Sequence, residues 1–404
     1  MWALDAVPEA ITDSLSLDDR KALSVWENSI THGDDGHYEV GIPFKQQPPV
    51  LSNNIDVARQ RLVSLKTKLK KNPELHVKYS EYMNELLKRG YIEEVSFEQV
   101  EVPGSWYLPH HAALNQNKPG KVRVVFDCSA KHCGKSSNDV VLQGPDLTSK
   151  LIGVVLHFRQ EHVALMADIE AMFHQVWVRP SDRDVLRFLW WRDGWLDTEP
   201  IVHRMKVHLF DGIWSPSCCS FVLRKTAEDN RDEYEANVVD TVLRNFYFDD
   251  CLKSVASADE AVFIVEQLTS MLKSGGFRLT KWISNSREVM ATIPESEQPQ
   301  KIQNLDLRCE EFPVDRALGL IWDIEADTLS LSAVVRDKPL TRRGMLSIVS
   351  SVFDPLGFLS PFVLPAKRMI QDLCRRKVGW DDSLAAGDEC SWKQWLATYR
   401  VLVI

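Results

Sequence analysis

Three aspartates set at the ends of apolar runs constrain this chain more than any other feature. The run HVALMADI carries Asp168 near its end, and 81 residues later Asp249 and Asp250 stand together between Phe246-Tyr247-Phe248 and Leu252. The first run has the length of a buried strand. The second has the form of a hairpin with Asp-Asp at its tip, since Asp is a good turn former. Carboxylates beside buried strands are costly without partners. Adjacent carboxylates also repel one another, and a divalent cation relieves that repulsion. A pair of Mg²⁺ ions needs carboxylates from different backbone segments, which a strand end and a hairpin tip can supply. Magnesium keeps waters and phosphates as further ligands, so few protein carboxylates suffice. Taken singly, each feature has a plainer reading: turn chemistry for Asp249-Asp250, and a helix N-cap for Asp168.

A chain of 404 residues is long enough for two or three subdomains. Its 44% hydrophobic and 26% charged residues are those of an ordinary globular protein. No stretch of eighteen residues lacks a charge, so no membrane span is expected. The start, MWALDAVPEAITDSLSLDD, is acidic and has no signal-peptide pattern, which implies an intracellular protein. The net charge of −9 argues against a uniformly basic surface but not against a local basic channel. Lysines and arginines do cluster at Lys66–Lys71 and Arg375–Lys377, where a solvated helix face is the simpler account. The eight cysteines form no C-x-x-C pair, so reduced thiols are expected rather than a zinc site.

Periodicity sketches the elements. Ile55, Ala58, Leu62, Leu65 and Leu69 recur at helical spacing, and a second helix carries Tyr79, Tyr82, Met83, Leu86 and Leu87 and ends near Gly90. Pro43, Pro48 and Pro49 keep 41–54 out of helix. Val122, Val124 and Phe126 alternate as in a strand. Residues 217–236 read as helix, 241–255 as a hairpin tipped by Asp249-Asp250, and 316–333 as a second hairpin. A stripe of Ile264, Leu268, Met271 and Leu272 closes at Gly275-Gly276. Residues 1–36 form a lead-in with one short helix opened by Ser16 or Asp18, and from Thr341 the chain is mainly helical. Irregular alternation with a hairpin-rich centre indicates an α+β fold.

Tyr247-Phe248-Asp249-Asp250 matches the Tyr-x-Asp-Asp box of reverse transcriptases, and Ala167-Asp168-Ile169-Glu170-Ala171-Met172-Phe173 resembles the first catalytic motif of their palm. Trp214-Ser215-Pro216 lies between them, where those enzymes place Ser-Pro before a palm helix. Several further stretches resemble BEL/Pao-type LTR retrotransposons: Gly36-His37-Tyr38-Glu39-Val40, Tyr107-Leu108-Pro109-His110-His111, Val122–Asp127, Asn138-Asp139, Gly144-Pro145, and Phe353-Asp354-Pro355-Leu356-Gly357 followed by Pro361 and Ala366-Lys367. The chain thus resembles the polymerase region of a polyprotein of that group. The resemblance implies a right-hand architecture of fingers, palm and thumb. It divides the chain into a lead-in (1–36), fingers and palm (37–330), and thumb with the start of a connection (331–404). Within it, the palm would hold 161–184 and 211–330.

The resemblance also implies roles. Asp168, Asp249 and Asp250 would hold two Mg²⁺ ions, with Mn²⁺ as an alternative, and the Ile169 carbonyl would assist. Arg123 would reach the incoming triphosphate, and Phe173 would exclude a 2′-hydroxyl by bulk. Lys281 would give a proton to pyrophosphate, and Leu318-Gly319-Leu320 would form the primer grip. Plainer readings are a salt-bridged strand Arg, a core Phe, a solvated Lys and a supporting β-turn. Partners would be an RNA or DNA template-primer and dNTPs, with no membrane. Protease, RNase H and integrase would belong to the full element and not to this chain. An intact element would work in the cytoplasm, in a virus-like particle.

One position departs from the pattern. Asp211 stands where the family has a Gly, four residues before Ser215. If that Gly serves a left-handed φ or a close approach, Asp would be strained there, and its charge would repel a triphosphate. This motivates a second hypothesis: a catalytically impaired or domesticated fragment that binds nucleic acid without synthesis. A metal-dependent nuclease using the same carboxylates is a third, although Phe173 and Arg123 would have no task in it.

Overall fold

The computed structural model describes residues 15–96, 104–114, 122–303, 312–331 and 337–402. The fold is mixed α+β with several small sheets, and the chain divides into two compact units. The first comprises 1–148, 169–243 and 266–279; the second comprises 149–168, 244–265 and 280–404.

In the first unit, helices Ile55–Lys71 and Pro73–Lys88 form where expected. Leu62, Leu65 and Leu69 in one, and Tyr79, Met83 and Leu86 in the other, recur every three or four residues and are all buried. Asn72 caps the second helix by accepting from the Leu75 N–H, and Pro73 takes the first position, where its missing N–H is harmless. A sheet of Ile92–Glu94, Ile201–Met205 and Arg187–Trp190 is antiparallel throughout, as is the hairpin of His110–Leu114 with Val122–Phe126. His110 sits among Tyr79, Phe126, Phe188 and Trp190. Its Nε2 donates to the Leu189 carbonyl and its Nδ1 accepts from the Tyr79 hydroxyl, while burial pushes its pKa down to about 4. It is therefore a neutral core histidine.

The stretch expected as a lead-in contributes to this core. Helix Leu17–Ser29 opens on a reciprocal cap between Ser16 and Asp19, and buries Trp26 against Phe221. A Cβ on Gly144 would lie 2.3 Å from the Trp26 ring, and its φ of +82° also favours glycine.

In the second unit, a four-stranded sheet runs in the order Phe246–Tyr247, Asp250–Val255, Val163–Ile169, Leu279–Ser284. The Val163–Ile169 strand is buried along most of its length, which explains the apolar run Val163–Ala167 before Asp168. Helix Leu151–Phe158 packs on the sheet, and the Ser254 hydroxyl fixes it by donating to the His157 carbonyl at 2.7 Å. A second sheet, Val314–Ala317, Leu320–Asp323 and Thr328–Ser330, attaches through Trp322, whose ring meets Phe158 at 5.0 Å. Helices Arg342–Val349, Ser360–Arg375 and Ala386–Leu402 enclose Met345, Ile348, Ala366, Leu373 and Trp392.

Two boundaries differ from expectation. The helix expected over 217–236 spans Ser215–Asp229, and a separate helix, Ala236–Arg244, takes up residues expected as the first arm of the hairpin. Val238, Val239, Thr241 and Val242 are β-branched but fall on one helical face, and that burial overrides their β preference. The stretch expected as a single hairpin near 316–333 is a three-stranded meander, and residues 332 and 333 lie outside the described residues.

Candidate active site

The hairpin tip is built by register. Phe246 pairs with Cys251 and Tyr247 with Asp250, which leaves a two-residue loop of Phe248 and Asp249. Two-residue loops that match strand twist need φ above zero at their first position. Phe248 has φ +53°, a conformation that strains a bulky residue. Such strain persists only where the surroundings enforce it.

The neighbouring strand brings in the first aspartate. Asp168 and Asp250 are direct partners in the antiparallel pairing, so their side chains share a face with Cβ atoms about 4.5–5.5 Å apart. Like charges placed so destabilise a sheet. The Asp250 carboxyl is accordingly pushed up to about 7, first by burial, then by Asp249 and Asp168, with Asp315 adding and Lys281 opposing. The Lys281 ammonium donates to the Asp168 carboxylate at 2.7 Å. Lys281 holds φ +56° inside its strand and keeps a side chain 59% exposed. The Thr280 hydroxyl donates to the Asp168 carbonyl at 3.4 Å.

The structure thus gathers Asp168, Asp250 and Lys281, with Asp249 next in the chain. Hard oxygen donors crowded until one resists ionisation suit a magnesium ion. Among the described residues, no group of three His, Cys, Asp or Glu side chains forms a ready-made metal cage. Asp168 is engaged by lysine instead.

Leu318 and Gly319 form the two-residue turn of the Val314–Ala317 and Leu320–Asp323 hairpin, with φ of +49° and +88°. A Cβ on Gly319 would lie 2.8 Å from the Phe353 ring. The same hairpin carries Asp315, which pairs with Lys301 and adds its charge to the field at Asp250.

Arg123 and Phe173 belong to the first unit. Arg123 is exposed on its strand opposite Ala113. Phe173 lies in the short turn Met172–Gln175, held by buried Met172 and Gln175, and its ring meets Phe210 edge-to-face at 5.6 Å and 87°. Asp211 is not strained: its φ lies outside the left-handed region. Its carboxylate accepts from the Cys128 N–H at 2.9 Å, and burial raises its pKa. The concern about backbone strain at Asp211 is thereby corrected. Asp315 and Phe210 were not anticipated, and no local sequence pattern marks either one.

No curated protein matches the chain in sequence. Residues 341–401 match the family model described as a Pao retrotransposon-like RNaseH-like domain. The matched segment consists of three helices. In fold, the chain is similar to a foamy viral protease-reverse transcriptase solved in complex with double-stranded DNA. The TM-score is 0.56 at 13% identity, covering 94% of this chain and 55% of that one. The chain therefore spans about half the length of that protein. The chain thus combines a segment similar to a Pao retrotransposon-like domain at 341–401 with a fold similar to that of the foamy viral protease-reverse transcriptase through most of its length.

Proposed function

We propose that this chain is the core of an RNA-directed DNA polymerase that extends a primer 3′-hydroxyl with dNTPs. The observation that carries this reading is the cross-strand pairing of Asp168 with Asp250, beside Asp249 in a strained hairpin tip. In this reading the four-stranded sheet belongs to a palm of 161–184 and 211–330, the fingers come from residues up to about 160 and part of 185–210, and the C-terminal helices begin the thumb. The double-stranded DNA held by the foamy viral protein of similar fold supports a nucleic-acid partner.

Asp168, Asp249 and Asp250 would hold the Mg²⁺ pair. Bound there, such ions would supply a lowered pKa at the primer hydroxyl and neutralising charge for the triphosphate. The protein's own groups prepare that site. Asp250, whose pKa burial and the neighbouring aspartates raise to about 7, would have to be ionised to hold a cation. Lys281 must leave Asp168, and its exposed stem lets the ammonium move toward the pyrophosphate as a proton donor. Phe173 rejects a 2′-hydroxyl by overlap, and the Arg123 guanidinium offers fixed donors to the triphosphate. Leu318-Gly319-Leu320 would press on the primer backbone.

One observation favours a second reading, a fragment that binds nucleic acid without synthesis: the Lys281 ammonium fills one of the three carboxylates. The discriminating experiment is dNTP incorporation on a primed RNA homopolymer with Mg²⁺. The polymerase reading expects incorporation that Asp249→Asn abolishes. Equal incorporation by both proteins rejects the assignment of the aspartates, and template binding with no incorporation by the wild type supports the second reading.

A further inference from the structure

The loop that carries Asp211 is held at several points. The Asp211 carboxylate accepts from the Cys128 N–H, and Cys128 is fully buried. Asn138 clamps the same loop from the other side. Its Nδ2 donates to the Asp211 carbonyl at 3.1 Å, and its Oδ1 accepts from the Ile213 N–H at 3.1 Å. Its own N–H donates to the Cys128 carbonyl at 3.1 Å, and Nδ2 also reaches the Ser129 hydroxyl at 3.1 Å. Within the loop, the Gly212 N–H donates to the Leu209 carbonyl. Between these fixed points stands Phe210, 70% exposed yet held with its ring perpendicular to Phe173. An apolar ring left so exposed gains little from burial. Its position comes from the clamped backbone and its edge contact.

We propose that Asp211 and Asn138 are positioning residues that clamp the 209–213 loop, so that Phe210 braces Phe173 and sets how strictly the enzyme rejects ribonucleotides. This rests on the polymerase reading and on Phe173 as the sugar gate. Exclusion by overlap depends steeply on where the ring stands, so a brace that fixes its tilt controls selectivity. On this account, the family glycine at position 211 is replaced by a side chain that ties the loop down. Asp211 is thus an anchor whose carboxylate is committed to backbone donors.

Two readouts separate this idea from the polymerase reading. The first is hydrogen exchange at the Cys128 and Ile213 amides in the full chain, which needs no activity. The Cys128 amide is expected to lose protection in Asp211→Gly, and the Ile213 amide in Asn138→Ala. Asp211→Asn keeps an acceptor oxygen and should retain protection. The second is the ratio of kcat/KM for dNTP and rNTP incorporation. Phe210→Ala and Asp211→Gly should each lower that ratio about tenfold, chiefly through a lower KM for the ribonucleotide, and Asp211→Asn should restore it. A merely structural role would weaken both substrates equally and leave the ratio unchanged, which would overturn the brace. Wild-type Cys128 exchanging as fast as in Asp211→Gly would overturn the anchor. If the wild type incorporates no dNTP, the polymerase reading and the selectivity role fall together, and amide exchange alone decides the anchor.

Discussion

Two aspartates, one in each unit, are half-buried carboxyls with raised pKa values, yet they sit in opposite surroundings. Asp211 faces backbone N–H donors, led by that of Cys128. Asp250 faces Asp168 across the sheet and Asp249 beside it, with Asp315 adding to the same field. A carboxylate matched to N–H donors holds a fold together. One matched mainly to other carboxylates is costly to the fold. Burial alone does not distinguish the two; the sign of the neighbours does.

Removing each carboxylate should therefore have opposite consequences for stability at the two positions. Asp250→Asn should lower incorporation about 10³-fold while raising the melting temperature in EDTA at pH 8, because it removes a repelled charge without changing shape. Loss of both activity and stability would break the comparison. Asp211→Ala should instead destabilise the chain by about 1–3 kcal/mol, since it strands the buried Cys128 N–H. Denaturant unfolding measures this, and an unchanged midpoint would count against the anchor.

The pH dependence sharpens the contrast. The folded chain holds the Asp250 proton up to about 7, whereas the unfolded chain releases it near the ordinary aspartate value of 3.8. The folded state binds more protons between these values, so this group's contribution to metal-free stability falls as pH rises from about 4 to about 7. Above 7 the whole penalty is present. Stabilisation by Mg²⁺ should grow across the same interval, and a melting series with and without the ion checks both slopes. The smallest effect belongs to Lys281. Its ion pair is largely exposed, so Lys281→Ala should tighten Mg²⁺ binding only about threefold in the absence of nucleotide. Weaker binding in that variant would mean that lysine does not compete for Asp168.

Much of this was legible in the residues themselves. The buried strand carrying Asp168 near its end, the Asp-Asp tip and the paired N-terminal helices all follow from local periodicity and turn chemistry. The sequence was misleading where β-branched residues sit on a helix, as in Ala236–Arg244, because tertiary burial outweighs local preference. It was silent where the physics joins distant segments. Asp211 meets Cys128 across 83 residues, and Lys281 meets Asp168 across 113. No spacing rule encodes such meetings, so Asp211 looked like damage until its partner was visible. Asp315 and Phe210 act only through neighbours that the fold supplies.

Calorimetric titration of the metal-free chain with Mg²⁺, compared among wild type, Asp250→Asn and Asp211→Asn, tests most directly whether the crowded carboxylates form a cation centre. Saturable binding to the wild type, weakened at least about tenfold by Asp250→Asn and left intact by Asp211→Asn, is the predicted result. Identical isotherms for all three proteins would contradict it.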